Sequence, residues 1–214
     1  MDTRDTSLTH ETEAQNDAFT KTVSKRIMIK LVFEKLRLYR ESLVKKKREL
    51  YIQNLKSRGL RLGINVHFAA DVFLDPSHCF LINIGNNITF APNVRIIAHD
   101  ASTKQYLGFT RIGLVTIRDD CFIGDSVVIL PGVTIGSRAI VGAGSVVSKD
   151  IPENSVAAGC PAQVLCSLED YLSKRNLAAQ ERGVFGQEYW VENLTTARRK
   201  ELLRVLSNGE GFIC

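Results

Sequence analysis

The sequence predicts a β-solenoid, a parallel β-helix built of three-sided coils, and two observations carry this prediction. First, β-branched residues recur at steps of six along the middle of the chain: Ile117, Ile123, Ile129, Ile135, Val141 and Val147. Second, residue pairs that favour turns fall between them, such as Asp125-Ser126 and Pro131-Gly132. A period of six fits neither an amphipathic helix nor a long alternating strand. A short repeat of this kind is typical of a solenoid.

The turn pairs indicate how each coil closes. Pro presets φ near −65°, and a following Gly or Asn accepts the positive φ of a type II turn, as in Pro131-Gly132 and Pro92-Asn93. Three hexads then form one coil, and stacked coils pair their strands in parallel at a spacing of about 4.8 Å. The same frame appears upstream at Ile84, Phe90 and Ile96, and weaker hexads start at Leu62 and Phe68.

The six-residue register breaks twice. Leu74 and Ile84 are ten residues apart, and Ile96 and Ile117 are twenty-one apart. The second break predicts a loop over residues 99–113 that leaves the coil at His99. Long loops inside compact repeats are usually functional or disordered, so we expect this loop to lie near a site.

The flanking sequence predicts three further segments. Residues 1–18 are polar and aperiodic, which indicates a disordered tail. Residues 19–58 carry an apolar stripe at helical spacing, and the solenoid is expected over 59–166. Residues 167–214 return to a helical pattern, with a helix over Ser167–Ala178 that opens on a capping box and a second from about Thr195 to Leu206.

Charge and cysteine content indicate which partners and which cellular compartment to expect. Between Lys21 and Arg61 there are fourteen Lys or Arg residues against three Glu. A solvated helix face is the first interpretation of this run. Contact with a membrane surface or an acidic polymer is the second, and we expect no nucleic-acid partner. Five Cys without CxxC spacing predict neither a disulfide framework nor a zinc site, and no secretion signal is visible. We therefore expect a cytoplasmic protein, with the inner membrane face as a variant of that location.

The hexads IGNNITFAPNV, IRDDCFIGDSVVILPGVTIG and SRAIVGAGSVVSKDIPENSVAAGCPAQV resemble the hexapeptide-repeat acetyltransferases, most closely the galactoside, maltose and nodulation-factor group. The resemblance covers about Leu62 to Val164. It implies a left-handed parallel β-helix, here with N-terminal and C-terminal helical segments. It also implies a homotrimer with sites between subunits, acetyl-CoA lying along the coils, a glycan acceptor and no required metal.

The resemblance also implies roles for particular residues. His99 matches the family's catalytic His, and an imidazole suits the role of general base near neutral pH. Asp71 matches a position that binds the acceptor sugar. The residues that match donor-binding positions of the family are Gly124, Asp125, Gly142, Ala143, Ser148 and Lys149. A direct transfer is expected, because Cys121 occupies an inward hexad position and no other nucleophile is evident.

Several alternatives stay open at this point. N-acetylation of an amino sugar or small xenobiotic is one, and a non-catalytic β-helix scaffold is another. Asp100 could orient His99, but neighbouring residues of a strand point apart, so exposure of Asp100 is favoured. The sequence departs from the family at Phe122, where Trp is usual, and near Gln163, where Arg or Lys is usual. No His follows His99, which argues against the zinc-dependent carbonic anhydrases that share this repeat.

Overall fold

A computed structural model describes residues 32–40 and 42–214, so the predicted tail over residues 1–18 lies outside the described residues. The chain divides into two compact units, Met1–Asn54 and Leu55–Cys214. Residues 32–40 and 42–57 are helical (α1), within the segment for which the sequence predicts a helix. Gly59 stops this helix with a φ of 103°, and its amide donates to the carbonyl of Lys56 at 3.1 Å.

The second unit is built from three sheets that receive strands in rotation. The first sheet holds β1 (Arg61–Leu62), β4 (Ile82–Ile84), β9 (Val115–Ile117) and β12 (Thr134–Ile135). The second holds β2 (His67–Phe68), β5 (Thr89–Phe90), β10 (Phe122–Ile123), β13 (Ile140–Val141), β15 (Ser155–Gly159) and β16 (Ala162–Ser167). The third holds β3 (Phe73–Leu74), β6 (Arg95–Ile96), β11 (Val128–Ile129) and β14 (Val146–Val147). All these pairings are parallel except β15 with β16, as a chain wound in successive three-strand coils requires.

The hexad residues form the core that the sequence predicts. Ile117 pairs with Ile84 and Ile135, and Ile129 pairs with Ile96 and Val147. The six residues of the main repeat are at most 1% exposed. Each inward side chain therefore stacks on its equivalent in the next coil, and this stacked column is the hydrophobic core.

The corners use the turn residues for hydrogen bonds between coils as well as for direction. Asn65, Asn87 and Asp120 all have φ between 54° and 61°. The Asn65 amide donates to Asn87 Oδ1 and the Asn87 amide to Asp120 Oδ1, both at 3.0 Å. Short polar side chains tolerate the left-handed conformation, and here they also join successive coils.

The two predicted register breaks are insertions at the coil surface. A 3₁₀ turn over Cys79–Leu81 fills the first. The second contains β7 (His99–Asp100), α2 (Lys104–Leu107) and β8 (Arg111–Ile112), with β7 antiparallel to β8. The amide of Gly113 donates to the carbonyl of Ala98 at 3.0 Å, which closes the root of the loop.

The C-terminal segment begins with α3 (Leu168–Arg182), which ends four residues later than the sequence predicts. Ser167 Oγ caps it by accepting from the amide of Asp170 at 3.0 Å. The remaining elements are β17 (Val184–Phe185), 3₁₀ turns over Gln187–Tyr189 and Val191–Asn193, α4 (Thr196–Leu206) and β18 (Phe212–Ile213), which pairs with β17. The indole of Trp190 donates to the carbonyl of Cys214. Among the described residues, none of the helices combines the length and the apolar character needed to cross a bilayer.

Candidate active site

His99 is placed by the third sheet. It follows β6 by three residues, at the edge where the chain leaves the coil and begins the loop. Ala98 is fully buried, which fixes the backbone immediately before the imidazole. The His99 side chain keeps 35% of its surface exposed, so a solute can reach it.

Asp75 is the immediate partner of this imidazole. Its carboxylate is 1% exposed and contacts His99 Nδ1 through Oδ2. The same oxygen accepts from the amide of Ala98 at 3.1 Å, and Oδ1 accepts from the amide of Ser77 at 3.0 Å. Several donors therefore fix the carboxylate, and the carboxylate in turn fixes the ring.

The charge state of Asp75 follows from these contacts. Burial raises the pKa of its carboxyl, but the hydrogen bonds from His99, Ala98 and Ser77 together outweigh burial, and the pKa lies below its ordinary value. An ionised Asp75 can only accept a hydrogen bond, so Nδ1 of His99 carries the hydrogen and donates it. The free lone pair of the neutral imidazole then lies on Nε2. This is the tautomer that a general base needs if it is to accept a proton at Nε2.

Neither Asp75 nor His78 was assigned a role from the sequence. His78 lies beside the Asp75–His99 pair, with ring centroids of the two His residues 4.8 Å apart. Its Nδ1 is 4.0 Å from Asp75 Oδ2. The available signal was the segment Leu74-Asp75-Pro76-Ser77-His78, where a carboxylate directly follows an inward hexad residue at a register break.

The two Asp residues singled out from the sequence lie elsewhere. Asp100 faces outward, accepts from the amide of Ser102 at 2.9 Å and pairs with Arg111 at 3.6 Å, as expected for an exposed residue. Asp71 is exposed at a corner with a φ of 56°, between β2 and β3. Its role toward an acceptor stays a prediction.

The predicted donor-binding residues fall on two corners of the coil. Because β10 pairs with β13, Gly124 and Asp125 stack directly on Gly142 and Ala143. A Cβ at Gly124 would lie 2.6 Å from the amide nitrogen of Ala143, so close stacking of the coils requires Gly there. The register between β13 and β15 continues this line of stacked residues to Ala158.

Ser148 and Lys149 occupy the next corner, and both are exposed. The pairing of β6, β11 and β14 places this corner two coils beyond Ala98 on the same edge, a rise of about 10 Å at the usual strand spacing. The Lys149 ammonium and the imidazole of His99 thus belong to one edge of the solenoid. Their contact with a donor stays a prediction.

The positions that depart from the family lie at the surface, and Cys121 lies in the core. Phe122 is 45% exposed on the outer face of β10, and Gln163 is exposed on β16. Cys121 is 3% exposed, and its thiol donates to the carbonyl of Gly136 at 3.1 Å. Burial raises the pKa of this thiol, which keeps it protonated and makes it a poor nucleophile.

Comparison with known proteins finds similar sequences and structures. Residues 115–149 match the family model described as bacterial transferase hexapeptide (six repeats). Galactoside O-acetyltransferase of Escherichia coli is 38% identical over 117 residues, which are 53% of this chain and 58% of that protein. Protein CapG of Staphylococcus aureus is 37% identical over 133 residues, 60% of this chain and 77% of CapG. A galactoside acetyltransferase solved in complex with coenzyme A is 31% identical, with a TM-score of 0.46 over 61% of this chain and 74% of that one.

The chain belongs to the hexapeptide-repeat acetyltransferase family. It spans little more than half the length of the first curated relatives it matches, 56% and 58%.

Proposed function

We propose that this protein transfers an acetyl group from acetyl-CoA to a hydroxyl group of a sugar or polysaccharide, with His99 as general base. The observation that carries the proposal is the Asp75–His99 pair: a partly exposed imidazole whose Nδ1 is engaged by a buried carboxylate. A non-catalytic scaffold would need the Asp75 carboxylate only as an acceptor for backbone amides, not as the partner of a partly exposed imidazole. Membership of an acetyltransferase family supplies the reaction class and the donor.

The proposed reaction proceeds in one ternary complex. His99 Nε2 accepts the proton of the acceptor hydroxyl while the oxygen attacks the thioester carbonyl, which forms a tetrahedral intermediate. The C–S bond then breaks, and the imidazolium returns its proton to the departing coenzyme A thiolate. Asp75 keeps its negative charge throughout and stabilises the imidazolium, so it acts as a positioning residue.

Direct transfer is supported by the state of the two buried thiols, whereas Cys160 and Cys214 are exposed and Cys166 is half-buried. Cys79 and Cys121 are buried, and the pKa of Cys121 is raised. Neither thiol is suited to attack a thioester that lies in solvent. A stable acetylated protein recovered after incubation with acetyl-CoA alone would contradict direct transfer.

The handedness of the coil, the oligomeric state and the residues that contact donor and acceptor are also proposals. By family likeness we propose a left-handed coil and a homotrimer, whose mass in light scattering would be about three times the 23.8 kDa of the chain. For the donor we propose the two corners described above, with Lys149 as a point charge toward a phosphate. Asp71 would bind the acceptor.

The basic N-terminal segment supports a further proposal about location. Its helix exposes apolar side chains such as Phe33 and Tyr39, and Lys45-Lys46-Lys47-Arg48 supplies positive charge. We propose contact with an anionic polymer or membrane surface through residues 21–61. Deleting residues 1–58 should then weaken turnover on a polymeric acceptor and reduce its salt dependence. An unchanged salt profile would contradict this contact.

The test of the reaction is release of coenzyme A thiol from acetyl-CoA in the presence of simple sugars, polysaccharides, amino sugars or no acceptor. We expect acceptor-dependent release by the native chain and a loss of about 10²- to 10⁴-fold in His99→Ala. His67→Ala is the matched control, because His67 is an exposed His on β2 outside the Asp75–His99 pair. Equal activity in His99→Ala and His67→Ala would refute the assignment of the base, and release only with amino acceptors would move the reaction to N-acetylation.

A further inference from the structure

We propose that Asp75, His78 and His99 together form a binding site for a divalent transition-metal cation of the Zn²⁺ type, and that the bound cation inhibits the enzyme. Binding of the cation is independent of the proposed function. Its inhibitory effect rests on the proposed role of His99.

The three side chains already converge. One ligand atom from each lies within 4.8 Å of the others. His99 Nδ1 contacts Asp75 Oδ2, and His78 Nδ1 is 4.0 Å from the same oxygen. Ligand atoms around a tetrahedral Zn²⁺ with bonds of about 2.0–2.1 Å lie roughly 3.3 Å apart. The contact between His99 Nδ1 and Asp75 Oδ2 is shorter than this and would have to open, whereas His78 Nδ1 would have to approach Asp75 Oδ2 by about 0.7 Å. Rotations of the two partly exposed imidazoles would produce both changes.

His78 supplies the strongest single indication. Its Nδ1 is buried and lacks a hydrogen-bond partner among the residues that the structure describes. A separation of 4.0 Å from the Asp75 carboxylate is too long for a hydrogen bond. Buried polar atoms are rarely left in this state, because desolvation is then uncompensated. A cation between the imidazole and the carboxylate would engage this lone pair, and the 29% exposed remainder of the side chain gives access from solvent.

The donor set determines the class of cation. Two imidazole nitrogens and one carboxylate oxygen suit Zn²⁺, Co²⁺ or Cu²⁺, whereas Mg²⁺ and Ca²⁺ prefer oxygen ligands alone. Three protein ligands leave a fourth position open to water. The amides of Ala98 and Ser77 hold the carboxylate in place, which is the support that an outer shell gives a metal ligand.

A cation bound by these three side chains would prevent the proposed acetyl transfer. Nδ1 of His99 has one lone pair or one proton, so a cation bound there replaces the hydrogen bond to Asp75. A neutral imidazole that binds a cation through Nδ1 carries its proton on Nε2, so Nε2 has no lone pair with which to accept the proton of the acceptor hydroxyl. Inhibition is therefore the expected consequence for the proposed reaction.

The experiment starts from full-length protein freed of metal with a chelator. Zn²⁺ binding is followed by titration calorimetry, and Co²⁺ binding by its visible absorption spectrum. We expect one Zn²⁺ per chain in the native protein. Binding should be at least tenfold weaker in His78→Ala and in His78→Gln, which fills the site with a poor ligand, and unchanged in His67→Ala. Circular dichroism identifies any variant that fails to fold, and the other His78 variant then decides.

Thiol release, with each variant normalised to its own metal-free rate, gives the second readout. Zn²⁺ should inhibit the native protein and His67→Ala, and the inhibition constant should rise at least tenfold in both His78 variants. Absence of Zn²⁺ binding at 100-fold excess, equal binding by the His78 variants, or a Co²⁺ spectrum with thiolate bands would overturn the site. Binding at the site without inhibition would overturn the inhibitory role. Binding without acetyl transfer to any acceptor would instead refute the proposed function and leave the site intact.

Discussion

Replacing Asp75 by Asn tests whether a carboxylate is needed to hold His99 in its active tautomer. In the native protein Oδ2 accepts from both His99 Nδ1 and the amide of Ala98, and Oδ1 accepts from Ser77. An amide of the same shape has only one acceptor oxygen. If that oxygen faces Ser77, the NH₂ group of the new Asn side chain points at His99 and Ala98. The imidazole can then pair with it only by accepting on Nδ1, which places the ring proton on Nε2.

The magnitude follows from what this tautomer can do. An imidazole that is protonated on Nε2 cannot accept the proton of the acceptor hydroxyl. General-base catalysis typically contributes about 10²- to 10⁴-fold, so we expect kcat/KM of Asp75→Asn to fall by about 10³, or about 4 kcal/mol in barrier height. The amide of Ala98 would also lose its acceptor, at a cost of about 1–3 kcal/mol of folding stability.

Steady-state thiol release gives kcat and KM separately, and denaturant unfolding shows whether the variant is folded under assay conditions. Nitrogen-15 NMR of the imidazole should show the proton moving from Nδ1 to Nε2, a change that lost stability alone would not produce. Asp100→Asn is the matched control, since it removes an exposed carboxylate on the adjacent residue and should change kcat/KM by less than about threefold. The reasoning is refuted if folded Asp75→Asn retains native kcat/KM, or if its loss is no larger than that of Asp100→Asn.

Three further predictions concern stability. Asp75 is more acidic in the folded chain than its ordinary value, so it binds fewer protons there than when unfolded. The unfolding free energy of the native protein should therefore fall as pH drops from about 4 through the lower folded pKa, and this part of the fall should be absent in Asp75→Asn; parallel pH curves from denaturant melts would contradict the linkage. Ile135→Ala, in the fully buried column, should lower the unfolding free energy by about 2–5 kcal/mol, whereas Thr134→Ala on the outer face of the same strand should cost under about 1 kcal/mol, and equal losses would contradict the stacked-core assignment. Ser167→Ala removes the cap of α3 and should cost about 1 kcal/mol, visible as an earlier urea midpoint; an unchanged midpoint would show that the cap contributes nothing.

The solenoid could be predicted from the sequence because its signal is local and repeated. Every six residues an aliphatic side chain must face inward, and Ile117 through Val147 do so without exception. Turn residues such as Asn87 and Gly132 mark the corners because they accept positive φ. Both constraints act within a few residues of chain, so a reader of the sequence sees them directly.

The Asp75–His99 pair was beyond the same reasoning, because it joins residues twenty-four positions apart across a register break. The loop at residues 99–113 located the site and His99. The choice of carboxylate required knowing that Leu74 pairs with Ile96, which places Asp75 beside Ile97 and within reach of His99. For the same reason the position of His78 beside the pair could not be inferred. Asp71 came instead from the family likeness, as a residue expected to bind the acceptor, and that role stays a prediction.

The hydrogen bond from Gly113 to Ala98 has a consequence for how such proteins diversify. The coil resumes beside the point where it was interrupted. The residues between β7 and β8 therefore form a loop cassette that can vary while the coil on either side of it stays the same. Changes in its length or composition would leave the stacked column and the imidazole where they are. New acceptor preferences could thus evolve in this cassette at little risk to folding.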